Sequence, residues 1–163
     1  MAAPGWQTRA VPLLLIRHAD AGSRSAWDGP DRARPLSAAG QAEAAALVGL
    51  LEGYGVKRML SSPYARCIET LEPLGVALSV EIECDEALGE GHGYRATNLV
   101  RSLAGEDAAL CSHGDVIPEV LLALAAEEGV DLGPHPRHPK ASTWVLESSG
   151  RVFVAASYLP APG

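Results

Sequence analysis

Three short clusters in this chain combine residue types that handle phosphate. Arg17-His18 is the first, Ser61-Ser62 followed by Arg66 the second, and Ser112-His113-Gly114 the third. Guanidinium groups present paired donors to the oxygens of a dianion. Imidazoles add a hydrogen bond or a nucleophilic nitrogen. Taken singly each has a plainer explanation, because a histidine after a buried strand is mostly a hydrogen-bonded core residue and an arginine on a helix is mostly solvated. The case for a site rests on the elements that bring the clusters together.

Val11 to Ile16 is a nearly unbroken apolar run, the pattern of a strand buried on both faces, and it ends at Arg17-His18. A polar stretch punctuated by glycine and proline runs from Asp20 to Pro35. Ser37 then caps a helix whose apolar face carries Leu47, Leu51 and Tyr54 and which Gly53 and Gly55 close. A strand near 57–60, a helix over about 63–74 with Ser62 as N-cap and Pro63 as its first residue, and a strand near 77–82 follow. A helix over 96–103 stops at Gly105, 108–111 reads as a strand, and 116–128 as a helix closed by Gly129. Finally 143–146 and 152–156, joined across Ser149-Gly150, read as a hairpin. The expected fold is α/β: three layers, α/β/α, with a mostly parallel central sheet and a C-terminal antiparallel hairpin at its edge.

Open parallel sheets bind ligands beyond the carboxyl ends of their strands, and all three clusters sit at such ends. Arg66, in the first turn of its helix, leans back toward the same rim. The helix after Gly114 points its positive N-terminus there as well. Phosphate is the occupant this arrangement suits. Other phosphate chemistries lack their residues. There is no P-loop, and no cysteine has an arginine six positions on, where Pro73, Glu90 and Ile117 stand. No Asp-x-Asp follows the first strand and no Gly-x-Ser-x-Gly elbow occurs. Gly89, Gly91 and Gly93 have the wrong spacing for a dinucleotide loop. Histidine is left as the nucleophile.

Composition narrows the partners. With 163 residues, 47% hydrophobic and 20% charged, the chain has the size and balance of one globular domain with a core that needs no disulfide or structural metal. A net charge of -7 argues against nucleic acid and anionic membrane as partners. Eleven of the thirteen basic residues are arginine. The three cysteines lack paired spacing and the N-terminal MAAPGWQTRA lacks the apolar centre of a signal peptide, which suggests a cytoplasmic protein. The longest apolar run, from Val116 to Ala126, is broken by Pro118 and Glu119 and is too short to span a bilayer.

Leu15-Ile16-Arg17-His18-Ala19 resembles the signature of the histidine phosphatase superfamily, the phosphoglycerate-mutase-like proteins, with Ala19 where the family has glycine. The segment from Ser61 to Thr70 is similar to the family's second-arginine motif, Leu88-Gly89-Glu90 to its acid motif, and Ser112-His113-Gly114 to its second-histidine motif. Arg34-Pro35-Leu36-Ser37 with Gly40 resembles the opening of the first helix in short, SixA-type members. Ala21-Gly22-Ser23, Val116-Ile117-Pro118 and the run from Lys140 to Leu146 look like the phosphatase domain fused to MutT-type Nudix hydrolases in actinobacteria, although this chain holds no Nudix motif. The likeness covers about 11–158 of a single domain over 1–163.

The resemblance implies His18 as the nucleophile that carries the phosphoryl group, with Arg17, Arg66 and His113 clamping its oxygens. Glu90 would be the proton donor, with Glu86 and the acids from Glu81 to Asp85 as neighbouring alternatives. No cofactor or metal is called for. The nucleophile must be neutral, which sets the working pH near or above about 6.5 for an unperturbed imidazole. Ser23, Arg24 and Lys140 are candidate substrate contacts, as is Asp20, and Arg24 suits a second phosphate. His92, His135 and His138 have no metal-ligand spacing, and the loop over 133–139 reads as a stiff approach to the hairpin. The implied substrate is a phosphorylated protein, in particular a phosphohistidine protein as for SixA, or a small phosphorylated metabolite or nucleotide. A phosphate-binding module without turnover is the competing class. With no residues left for a lid, the cleft should be open.

Overall fold

The computed structural model describes residues 11–163. The N-terminal stretch on which the signal-peptide expectation rests lies outside the described residues. The chain alternates strands and helices: β1 (Val11–Arg17), α1 (Ala38–Leu51), β2 (Arg58–Ser61), α2 (Ala65–Leu78), β3 (Ile82–Cys84), α3 (Gly93–Ser102), β4 (Ala108–Ser112), α4 (Val116–Glu128), β5 (Thr143–Ser149) and β6 (Val152–Leu159). The six strands form one sheet in the order β3-β2-β4-β1-β5-β6. The first four are mutually parallel, β5 runs antiparallel to β1, and β6 closes the edge as the outer strand of the hairpin. This is the expected three-layer α/β/α fold.

Alternation along β1 divides the core. Leu13 and Leu15 pack with Val100, Val120 and Leu124 of α3 and α4 on one face. Leu14 and Ile16 pack with Leu47, Leu51, Leu71 and Leu74 of α1 and α2 on the other. Covered on both sides, the central strands must read as continuous apolar runs. Their register also aligns the ends that matter, with Arg17 beside Ser112 and Ser61 beside Cys111, so the three polar clusters emerge on one rim.

Several boundaries differ from the sequence reading: α3 starts at Gly93 rather than 96, and β5 and β6 run on to Ser149 and Leu159. Ser62 is not the N-cap of α2, which begins at Ala65 behind Tyr64. The backbone N–H of Ser62 still bonds to the Cys111 carbonyl, and its hydroxyl is engaged by His113. Further on, α2 continues past Pro73 to Leu78 and ends at Ser79, whose φ is 57°, so the third strand shrinks to Ile82–Cys84. Ala77 and Leu78 belong to the helix; alternation over so short a run does not separate the last helical turn from an edge strand.

Ser37 caps α1 as expected, accepting the Gly40 N–H at 3.1 Å, and also donates to Asp20 at 2.6 Å. A Cβ at Gly40 would stand 1.9 Å from the Asp20 carbonyl oxygen, so glycine is what lets the loop after His18 lie against this helix.

Candidate active site

His18 leaves the end of β1 with its ring nearly buried, and its Nδ1 lies 2.8 Å from the carbonyl oxygen of Ala19. A carbonyl only accepts, so Nδ1 carries the proton and Nε2 presents a bare lone pair. Thr70 on α2 steadies this turn, accepting the Ala19 N–H at 2.9 Å and donating to the Arg66 carbonyl at 2.6 Å. Ala19 does not adopt positive φ, and its methyl group packs with Ala21, Leu36, Ala44 and Ala141, so alanine fits here without backbone strain.

His113 follows β4 and lies edge-on to His18, with ring centroids 5.4 Å apart. Its Nε2 is 2.8 Å from the Ser62 hydroxyl. That oxygen already accepts the Tyr64 N–H at 3.3 Å. With the Ser62 proton directed to Nε2, the proton of neutral His113 sits on Nδ1, a buried donor without a hydrogen-bond partner 3.5 Å from Glu90 Oε1.

The two arginines complete the floor. Arg66 is fully buried; its Nη1 donates to the Asp31 carbonyl at 2.9 Å, and its Nη2 reaches Asp31 Oδ2 at 3.0 Å and Glu90 Oε1 at 2.7 Å. Its cationic carbon sits 4.9 Å from the centre of the Tyr64 ring. Arg17 donates from Nη1 to the His138 carbonyl at 3.0 Å and lies on Gly114, where a Cβ would come within 2.7 Å of Cζ. The Nε atoms of both arginines are buried and lack partners.

Burial dominates the protonation of the imidazoles. It brings His18 from 6.5 down to about 4 against the opposing Ala19 hydrogen bond, and Arg66, Arg17 and Lys140 push the same way. Burial, then His18 and Arg66, brings His113 down to about 3. Both rings are therefore neutral at pH 7, and the expectation of an ordinary imidazole near 6.5 is corrected. Arg17 is also lowered by burial, with Asp115 opposing.

Arg17, His18, Arg66 and Glu90 line a cleft of about 510 Å³, with Arg24, Arg34, Asp115 and Lys140 at its walls, and His113 lies against His18 and Glu90. Arg17, His18, Arg66, Glu90 and His113 thus converge. Arg24 bonds to Glu90 at 2.9 Å and to Asp31 at 3.3 Å. Lys140 reaches the cleft too, with its Nζ 3.0 Å from Asp20 Oδ1. Asp20 is spent on the scaffold: the Ser37 hydroxyl, then Lys140, draw it down to about 2. Ser23 lies outside the cleft and shares a hydrogen bond of 2.7 Å with Ser25. His92 meets Arg95, and the backbone carbonyl of His138 holds Arg17. Among the described residues no group of three or more His, Cys, Asp or Glu side chains is placed to hold a metal ion.

Sequence reasoning missed Asp31, which joins Arg24, Arg34 and Arg66, and the roles of Tyr64 and Asp115. Arg34 had a signal in the Arg-Pro-Leu-Ser segment; Asp31, in an irregular loop, had none.

Comparison with known proteins bears on this geometry. The family profile of the histidine phosphatase superfamily (branch 1) matches residues 13–98. A protein of Mycolicibacterium smegmatis named 8-oxo-(d)GTP phosphatase is 34% identical over 157 residues, covering 92% of this chain. The chain spans only 48% of that protein's length. A structure from Nakamurella multipartitia assigned to the SixA phosphohistidine phosphatases superposes with a TM-score of 0.75 at 24% identity, covering 94% of this chain and 98% of the other. The protein histidine phosphatase SixA with tungstate gives 0.73 at 20% identity, with coverages of 93% and 97%. At these identities the two structures speak to the fold.

Proposed function

The chain belongs to the histidine phosphatase superfamily, and from that premise we propose that it is a phosphatase working through phospho-His18 on small phosphorylated nucleotides. The observation that carries the mechanism is that Arg17 Nε, Arg66 Nε and His113 Nδ1, on residues that converge on His18, are all buried and lack a hydrogen-bond partner. A buried unsatisfied donor costs about 1–3 kcal/mol, and oxygens of a bound phosphoryl group would supply the missing acceptors.

In the first step Nε2 attacks phosphorus and the bond to the leaving oxygen breaks, with that oxygen taking a proton from Glu90. In the second, water attacks, Glu90 takes its proton, and the P–N bond breaks to release inorganic phosphate and His18. Guanidinium groups here supply the positive charge that metal ions bring to other phosphoryl transfers. In the ligand-free site Glu90 accepts from both Arg66 and Arg24. An arriving phosphomonoester monoanion competes for Arg66 and passes its remaining proton to the freed Glu90 carboxylate, which delivers that proton to the leaving oxygen.

The nucleotide class is supported by the mycobacterial relative named 8-oxo-(d)GTP phosphatase, a protein about twice as long as this chain. A SixA-like reading, with a phosphohistidine protein as substrate, is favoured by the open side of the cleft, where the Arg24 side chain is 63% exposed. We read the chain as one phosphatase domain, and a reducing, cytoplasmic setting suits its three free cysteines. No helix among the described residues is long and apolar enough to cross a membrane.

Rapid quench with a 32P-labelled substrate tests the mechanism. The trapped phosphoenzyme should be acid-labile and alkali-stable; an acid-stable adduct would place the phosphoryl group on a hydroxyl and refute it. Comparing kcat/KM for nucleotides and for a phosphohistidine protein decides the substrate class.

A further inference from the structure

We propose that the catalytic cleft continues into an apolar recess around Trp27, and that this recess receives the planar ring of the leaving group, the base of a nucleotide; the inference rests on the nucleotide reading above. The recess has a volume of about 220 Å³ and is walled by Ala26, Trp27, Pro35 and Leu36 together with Ser23 and Ser37. Gly22 and Arg34 line both it and the phosphate cleft, so the two open side by side across one short stretch of backbone.

The shared wall is firmly built. Buried Arg34 donates from Nη1 to the carbonyls of Ala21 at 2.7 Å and Gly22 at 3.1 Å, and from Nε to Asp31 at 3.1 Å. Gly22 takes a φ of 65°, a conformation that disfavours side chains, and the space a Cβ would occupy is open. At Gly22 the threshold between the two spaces is therefore bare backbone, with the Arg34 guanidinium bonded to it.

Trp27 is held rather than loose. Its Nε1–H donates to the Pro30 carbonyl at 2.9 Å, and Gly29 lies so close that a Cβ there would stand 3.3 Å from Nε1. Yet the residue remains 36% exposed, beside an apolar wall. An indole fixed in orientation and left partly uncovered is a ready stacking platform, since the entropy of ordering it is already spent. A cationic cleft joined to an apolar recess matches a molecule with an anionic end and a flat ring. A sugar phosphate or a short aliphatic phosphoester has nothing to place there.

The test compares wild type, Trp27→Ala and Trp27→Phe on GDP and on glycerol 3-phosphate. The ratio of kcat/KM for GDP to that for glycerol 3-phosphate should fall about tenfold or more in Trp27→Ala and largely recover in Trp27→Phe, which keeps a stacking face. In 15N-labelled wild type, the Trp27 indole signal, assigned by its loss in Trp27→Phe, should shift with GMP and not with inorganic phosphate. If wild type hydrolyses GDP but the ratio in Trp27→Ala stays within about twofold of it, the recess is overturned while the nucleotide reading stands. If wild type hydrolyses only glycerol 3-phosphate, the nucleotide reading falls. In that case, or if Trp27→Ala misfolds, the indole signal decides: a shift with GMP retains the recess and its absence overturns it.

Discussion

The cleft has two sides of different construction. On the sheet side, His18, His113 and Arg66 are buried and each is tied to a fixed partner: the Ala19 carbonyl, the Ser62 hydroxyl and the Asp31 carbonyl. On the loop side, Arg24, Asp31 and Glu90 meet chiefly through ion pairs and are 63%, 28% and 28% exposed. Strand ends and the start of α2 set the protonation state and aim of the reacting groups. The loops hold charges that water screens and that a ligand exchanges easily. Chemistry should therefore fail when the sheet side is altered, whereas affinity should merely drift when Arg24 on the loop side is; Glu90, the proposed proton donor, is the loop-side group whose loss reaches the chemistry.

The largest effects test that division directly. His18→Ala removes the nitrogen proposed to attack phosphorus and should lower kcat by at least about 10⁴-fold. Arg66→Ala removes a buried guanidinium proposed to clamp the phosphoryl group and should cost about 10²–10³-fold in kcat, the scale of losing one donor to a developing charge. Steady-state assays with circular dichroism as a folding control check both. Comparable turnover in either variant would dissolve the contrast.

Gly114→Ala probes the sheet side without removing a functional group. The new methyl group would meet the Arg17 guanidinium at 2.7 Å, and Arg17, tied to the His138 carbonyl, has little room to retreat. A displacement of this kind should lower kcat/KM by about 10–100-fold. Overpacking should cost about 1–3 kcal/mol in urea denaturation. Full activity would mean that Arg17 is not held where catalysis needs it.

The same contrast explains what could be read in the sequence. The apolar runs of β1 and β4 and the helix bounded by Val116 and Gly129 carry their own signals, because burial on both faces and a left-handed glycine leave local patterns. The rim followed from them, and with it Arg17, His18, Arg66 and His113. Ser62 misled because Ser-Pro signals a helix start whether or not the serine is needed elsewhere; here it bonds to a histidine 51 positions away. Asp31 and Trp27 lie in a loop whose course depends on tertiary contacts such as Gly40 against Asp20, which no short pattern encodes.

Protonation offers a subtler test. Because the free-enzyme pKa of His18 is about 4, kcat/KM should show no loss attributable to His18 protonation between pH 7 and 5.5. A limb near 6.5 that belongs to His18 would show the ring to be solvated. Stability carries the matching sign. Both histidines are lowered in the folded protein, to about 4 and about 3, so the unfolded chain binds more protons below pH 6.5. Their contribution is fully present above pH 6.5 and is lost as pH falls through that window, by up to about 1.4 kcal/mol per pH unit for each ring. Denaturation at pH 7.5 and 5, in wild type and His113→Asn, measures it.

Arg24→Ala should have the smallest effect. Its guanidinium bridges Glu90 and Asp31 at the mouth of the cleft, but Glu90 keeps Arg66 at 2.7 Å and Asp31 keeps Arg34 at 3.1 Å and Arg66 at 3.0 Å. Removing an exposed partner from such a network costs about 0–1 kcal/mol, so the expected outcome is a rise in KM of at most about fivefold with kcat nearly constant. Raising the salt concentration should shrink the difference between variant and wild type, since the lost attraction acts through water. A fall in kcat comparable to that of Arg66→Ala would instead make Arg24 part of the clamp, and the boundary between the two sides of the cleft would have to be redrawn to include the first turn after Ser23.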